Sequence, residues 1–146
     1  MSETHKGGCL CGAVRFTVTG AIPRGDACHC RECRRWSGHF WASSDVPREQ
    51  LTLERAETLR WYRRSPAVRR GFCGDCGSAL FFEREGASWL GVALGAFEGA
   101  TGTDLHAHIF AAEQGDYYQI PPGDYVIAAR IPTAPAPTAE SAIDPS

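Results

Sequence analysis

Three short groups of cysteine constrain this 146-residue chain more than any other feature. They read Cys9-Leu10-Cys11-Gly12, Cys28-His29-Cys30-Arg31-Glu32-Cys33 and Cys73-Gly74-Asp75-Cys76-Gly77. Seven cysteines cannot all pair as disulfides. The first eight residues carry no apolar run of the secretory kind, so we expect a cytoplasmic, reducing setting in which the thiols stay free. Clustered free thiols point to metal. Two thiolates in a tight turn, closed by a glycine, grip one tetrahedral ion while backbone N–H groups aim at the sulfurs. Cys73 and Cys76 have that form, and Cys9 and Cys11, followed by Gly12, offer the second pair of a closed Cys₄ zinc site. Such a site clips the N-terminal strand to the middle of the chain and closes a loop of about 60 residues.

Cys28, Cys30 and Cys33 remain, three potential ligands within six residues. Three protein ligands with one open position is the pattern of a catalytic zinc, so we expect two zinc ions per chain. Other arrangements stay open. Cys30 and Cys33 could join Cys73 and Cys76 in the closed site, although the glycines at 12 and 77 favour the first pairing. The triple could also be a metal-free redox dithiol, or a second structural zinc completed by a histidine such as His29 or His39.

An apolar fraction of 43% with 10% aromatics excludes a disordered chain, and the length suits one domain. The longest apolar stretches, around Trp89–Ala96 and Ala107–Ala112, are too short to span a bilayer. Net charge is −2, which argues against nucleic acid as a partner, but the charge is unevenly spread. Arg24 to Arg70 carries 11 Lys and Arg against 6 Asp and Glu, leaving the remainder of the chain acidic. A small anionic ligand near the Cys28 group suits that balance; a solvated face of scattered arginines fits it equally well.

Strand signals dominate the rest. Ala13–Thr19 alternates, with Val14, Phe16 and Val18 on one face. Further candidates are His39–Ser44, Leu51–Arg55, Thr58–Arg64, Ala67–Phe72, Ala79–Arg84, Trp89–Leu94, His106–Ala112 and Tyr125–Ala129. Asp45-Val46-Pro47 ends one of them and, with Arg48-Glu49-Gln50, reads as a capped turn. No stretch forms a convincing amphipathic helix. The expectation is an all-β domain over residues 1–130, built of small antiparallel sheets packed face to face. Residues 131–146, rich in Pro and Ala, read as a disordered tail.

Four stretches carry a resemblance: residues 7–16, Cys28 to Arg35, Arg70 to Ser78, and His108-Ile109-Phe110. In order and spacing they resemble the glutathione-dependent formaldehyde-activating enzyme family, whose vertebrate relatives include centromere protein V. The resemblance implies a β-tent fold of small coiled antiparallel sheets clipped by zinc, as in type B methionine-sulfoxide reductases. It also implies structural ligands at Cys9, Cys11, Cys73 and Cys76, and catalytic-zinc ligands at Cys28, Cys30 and Cys33. The implied activity is a carbon–sulfur lyase or synthase acting on a small thiol adduct. Glutathione plus formaldehyde giving S-hydroxymethylglutathione is the prototype.

In that setting Arg34, Arg35 and Trp36 are candidate substrate contacts, with Arg31 as a further anion-attracting side chain. Trp36, Phe40 and Trp41 could wall a pocket, though core packing is the ordinary role of such aromatics. His29, between two ligands, should point away from them, and His108 fits a satisfied core histidine. Two other functional classes compete: a β-tent binding module with two structural zincs, and a thiol reductase of the type B kind. The Arg-x-Cys-x-Asn pattern of those reductases is missing here.

Overall fold

The computed structural model describes residues 3–121 and 125–127. The expected tail at 131–146 and the end of the expected domain at 128–130 lie outside the described residues. In chain order the elements are β1 (Thr4–Gly8), β2 (Arg15–Thr19), β3 (Gly25–Cys28), α1 (Arg31–Ser37), β4 (Trp41–Pro47) and β5 (Leu51–Arg55). They continue with β6 (Leu59–Arg63), β7 (Val68–Cys73), β8 (Ala79–Arg84), β9 (Trp89–Ala93), β10 (Leu105–Ile109) and β11 (Tyr125–Val126). Among the described residues, no helix is long and apolar enough to cross a membrane.

The fold is all-β around one short helix. Three strands form an antiparallel sheet in the order β1-β2-β5. The other eight form a single sheet in the order β11-β10-β3-β4-β9-β8-β7-β6. This sheet is larger than the small sheets expected, and it is mixed, because β10 runs parallel to both β3 and β11. Parallel neighbours require a long crossover, and β10 reaches β3 only after the whole central meander has been laid down.

Alternation in β2 does what the pattern dictates. Val14, Phe16 and Val18 are completely buried, while Arg15 and Thr17 are half-exposed and Thr19 is exposed. Phe16 meets Phe81 and Phe97 edge-on at 5.5 Å each, joining the two sheets in one core with Val46, Leu80, Leu90 and Val92. Burying a phenylalanine this completely makes its truncation to alanine cost about 3–5 kcal/mol. β1 crosses directly over the ring: a Cβ on Gly7 would lie 2.4 Å from Phe16 Cζ. Only glycine fits there.

A second, smaller core holds Cys30, Cys33, Trp41 and Ala93, with Trp36, Phe82 and Phe110 packed around it. Helix α1 lies against it. Its N-cap is a sulfur, since Cys30 Sγ accepts the Cys33 N–H at 3.3 Å in the place usually taken by a serine or aspartate oxygen. It ends at Gly38, which sits at φ 92° and donates to the Arg34 carbonyl at 2.8 Å. The sequence reading offered no helix here, because seven residues give too few turns for an apolar stripe.

Candidate metal centres

Two turns of like construction build the first cysteine group. Cys9 and Cys11 lie between β1 and β2, while Cys73 and Cys76 flank the turn from β7 to β8. In each turn a glycine at positive φ (Gly12 at 84°, Gly77 at 81°) donates its N–H back to the carbonyl of the leading cysteine, Cys9 or Cys73. Ser78 ties the two turns together. Its hydroxyl accepts the Leu10 N–H at 2.9 Å and lies 3.2 Å from Cys76 Sγ.

All four sulfurs lie within 4.8 Å of one another, with Cys9 to Cys11 at 3.7 Å and Cys11 to Cys73 at 3.8 Å. A disulfide needs about 2.05 Å. Tetrahedral zinc with bonds of about 2.3 Å needs sulfurs about 3.8 Å apart, so this donor set fits zinc. The surroundings favour thiolates at Cys73 and Cys76. Val14 N–H reaches Cys9 Sγ at 3.2 Å, Asp75 N–H reaches Cys73 Sγ at 3.4 Å, and the Thr58 hydroxyl lies 3.3 Å from Cys73 Sγ. The Ser78 hydroxyl, followed by its backbone N–H, pulls the Cys76 thiol down to about 5, and the Thr58 hydroxyl lowers that of Cys73.

The second group is built differently. Cys28 ends β3, opposite Trp41 of β4 and Ile109 of β10; Cys30 caps α1 and Cys33 lies within it. Their sulfurs also lie within 4.8 Å of one another. Among the described residues this group has three members against four in the first. Cys30 and Cys33 are buried, and Cys28 is half-buried. The neighbouring thiols, Cys28 first and then Cys33, hold Cys30 far below the usual thiol range, helped by the Cys33 N–H and the Arg70 guanidinium. Burial and hydrogen bonding to Cys30 push Cys28 the opposite way, hydrogen bonding foremost. One sulfur here is built to be anionic.

The histidines stand outside both sulfur groups. His29 is completely buried, its Nδ1 2.6 Å from the Tyr118 hydroxyl and its Nε2 2.9 Å from His108 Nδ1. Burial, then the nearby His108 and His39, lowers its pKa to about 4, so its ring is neutral at pH 7. His39 Nδ1 lies 3.0 Å from the Tyr117 hydroxyl. Phe40 packs 5.0 Å from His29, completing an aromatic cover with Tyr118.

On α1, Arg34 turns inward and donates from Nε to the His29 carbonyl at 3.3 Å, whereas Arg31 and Arg35 are exposed. Trp36 meets Trp41 edge-on at 5.1 Å and is one wall of the small core. Three residues near this group escaped the sequence reading: Glu32, Tyr118 and Arg70. Arg70 had a signal, because it shares a face of β7 with buried Val68, where an arginine is out of place.

Residues 4–113 match the family described as glutathione-dependent formaldehyde-activating enzyme. An uncharacterized lyase of Schizosaccharomyces pombe is 33% identical over 79 residues, which cover 53% of this chain and 56% of that protein. A protein of Aspergillus oryzae, provisionally named as a glutathione-dependent formaldehyde-activating enzyme, is 32% identical over 77 residues, covering 50% of this chain and 40% of its own length. The chain thus spans about half the length of these curated relatives. A crystal structure of a Rhodobacter sphaeroides protein shares the fold with a TM-score of 0.54 and 24% identity, over 68% of this chain and 98% of the other. The family match covers the three cysteine groups together with β10, and by it this chain belongs to the glutathione-dependent formaldehyde-activating enzyme family.

Proposed function

We propose that this protein is a zinc-dependent carbon–sulfur lyase or synthase acting on the adduct of a small thiol and an aldehyde, with glutathione and formaldehyde as the prototype pair. In this reading Cys9, Cys11, Cys73 and Cys76 hold a structural zinc, and Cys28, Cys30 and Cys33 hold an exchangeable one. The observation that carries it is the contrast between a group of four sulfurs and a group of three. Cys28, Cys30 and Cys33 would hold the ion with one position open, and a zinc there would supply the Lewis acidity that favours ionisation of a thiol near neutral pH.

The chain's own residues do the remainder. In the synthetic direction a C–S bond forms between the thiol sulfur and the aldehyde carbon, and the thiol proton ends on the former carbonyl oxygen. Arg35, exposed on α1, supplies positive charge for the carboxylates of a thiol such as glutathione, while Arg34, turned onto the His29 carbonyl, and Trp36, packed on Trp41, support it from beneath. Neutral His29, held between Tyr118 and His108 and packed on Phe40, fixes the backbone between Cys28 and Cys30.

Zinc per chain, measured by elemental analysis, tests the assignment. Wild-type protein should carry two zincs and Cys30→Ser one, and added glutathione should perturb only the zinc that Cys30→Ser lacks. One zinc on the wild-type chain sinks the open-site mechanism. Two zincs with no response to any thiol would instead make the chain a binding module.

A further inference from the structure

Arg70 is 3% exposed, an unusual degree of burial for a guanidinium. It projects from β7 into the small core beneath α1. Its Nη1 donates to Cys33 Sγ at 3.7 Å, and its Nη2 lies 3.5 Å from Glu32 Oε1. The aromatic rings of Trp36 and Phe82 lie 5.0 and 5.2 Å from its Cζ. Among the described residues its Nε has no hydrogen-bond partner, so Cys33 and Glu32, not a full set of bonds, account for its placement.

Glu32 does not neutralise it. That carboxylate already receives Arg64 Nε at 2.7 Å, a closer pair than the one with Arg70. Two guanidinium charges therefore share one carboxylate, leaving an excess of one positive charge in a water-poor site, a costly arrangement unless something offsets it. Three neutral thiols offset nothing, whereas an anionic sulfur group beside Arg70 does. Three thiolates around a divalent ion carry one net negative charge, and that charge brings the ensemble to neutrality.

We propose that Arg70 is the charge partner of the Cys28/Cys30/Cys33 centre, a positioning residue that holds this group in its anionic, metal-loaded form. The inference rests on the two-zinc reading above. Without Arg70, each thiolate donates more strongly, the loaded centre retains an uncompensated charge, and an incoming anionic sulfur meets repulsion. The residue acts through Cys33 and touches no substrate.

The test uses the full chain loaded with cobalt(II), whose sulfur-to-metal charge-transfer band reports how tightly the thiolates hold their electrons. Subtracting the spectrum of Cys30→Ser protein isolates the second centre. Arg70→Met, which keeps the bulk against Trp36 and Phe82 but removes the charge, should move the band to longer wavelength. It should also lower zinc affinity at this centre by about 10–100-fold, as loss of an outer partner to a ligand does. Arg70→Lys should keep the band near its wild-type position. Glu32→Gln, which removes the competing negative charge, should move it to shorter wavelength.

A purely structural role predicts no such reversal of sign. An unmoved band in well-loaded Arg70→Met, or an Arg70→Lys shift as large as that of Met, overturns the proposal. Should Arg70→Met fail to fold, Glu32→Gln decides alone, and an unchanged band there overturns it too. A wild-type chain taking up one cobalt fails before any variant is made, which marks failure of the two-zinc reading itself.

Discussion

The two cysteine groups place sulfurs at similar separations by different means. The first is assembled from backbone: two glycine turns, N–H groups directed at sulfur and two short hydroxyl side chains, with Cys11 at the surface and Leu10 87% exposed between the ligands. The second is assembled from side chains: a sulfur-capped helix, a buried arginine and a cover of histidine, tyrosine and phenylalanine. Backbone turns give a rigid, closed cage that depends little on charge. Side-chain construction leaves the sulfur environment adjustable and gives the centre a sidedness, with Cys28 more accessible than its two partners. In the proposed function the first is a clip and the second a reaction centre, and these properties suit those roles.

The sharpest break between them should come from ligand removal. Cys73→Ser removes a sulfur of the first group, the structural clip of the proposed function, and should abolish the cooperative thermal transition seen by circular dichroism, since structural zinc binding is folding free energy. Cys30→Ser should retain a cooperative transition at lower temperature while losing one zinc and all turnover. If both variants melt alike, the division of labour is wrong.

A pH titration separates the groups next. The folded-state pKa of His29 is about 4 against an ordinary 6.5. The unfolded chain therefore binds more protons between those values, and His29's contribution to stability, present above pH 6.5, is lost as pH falls toward 4. Urea unfolding of His29→Gln should show a flatter dependence across this window than wild type. An identical slope would mean the buried ring is not the group that resists protonation.

Smaller effects should follow from two of the glycines at positive φ, one beside each cysteine group. Gly77 (81°) and Gly38 (92°) have open space where a Cβ would go, so alanine at either costs backbone strain alone, about 1–2 kcal/mol. Metal competition with a chelator should find Gly77→Ala weakening only the first centre and Gly38→Ala only the second. Ser78→Ala, which removes the hydroxyl linking Leu10 to Cys76, should cost about 1 kcal/mol and leave the second centre untouched. A zinc-affinity change at the wrong centre would show that the two communicate.

Much of the frame was legible in the residues. The cysteine groups announce themselves by spacing, and β2, β5 and β8 by alternation or apolar content. β1 was not, because Thr-His-Lys-Gly-Gly has no apolar period and owes its place to Gly7 passing over Phe16. β3 was missed because Gly-Asp-Ala-Cys is four residues long and pairs in parallel with a strand some eighty positions away. Helix α1 hid behind a cap of sulfur. The surroundings of the second centre were the least legible: Arg70, Glu32 and Tyr118 meet only once β7, α1 and the segment after β10 have packed together. Local pattern encodes clustered cysteines well, but it does not encode which distant side chain will lie beside them.

The parallel pairing of β10 with β3 has a consequence for synthesis on the ribosome. All seven cysteines have been made by residue 76, whereas His108 and Tyr118, which close over His29, come later. At about 5–20 residues per second, the growing chain spends about 2–8 s with its sulfurs complete and their cover missing. In that interval the second sheet lacks its parallel edge, and His29 lacks the two hydrogen-bond partners that hold its ring. The order of the strands thus completes both cysteine groups before the side chains that pack over His29 exist.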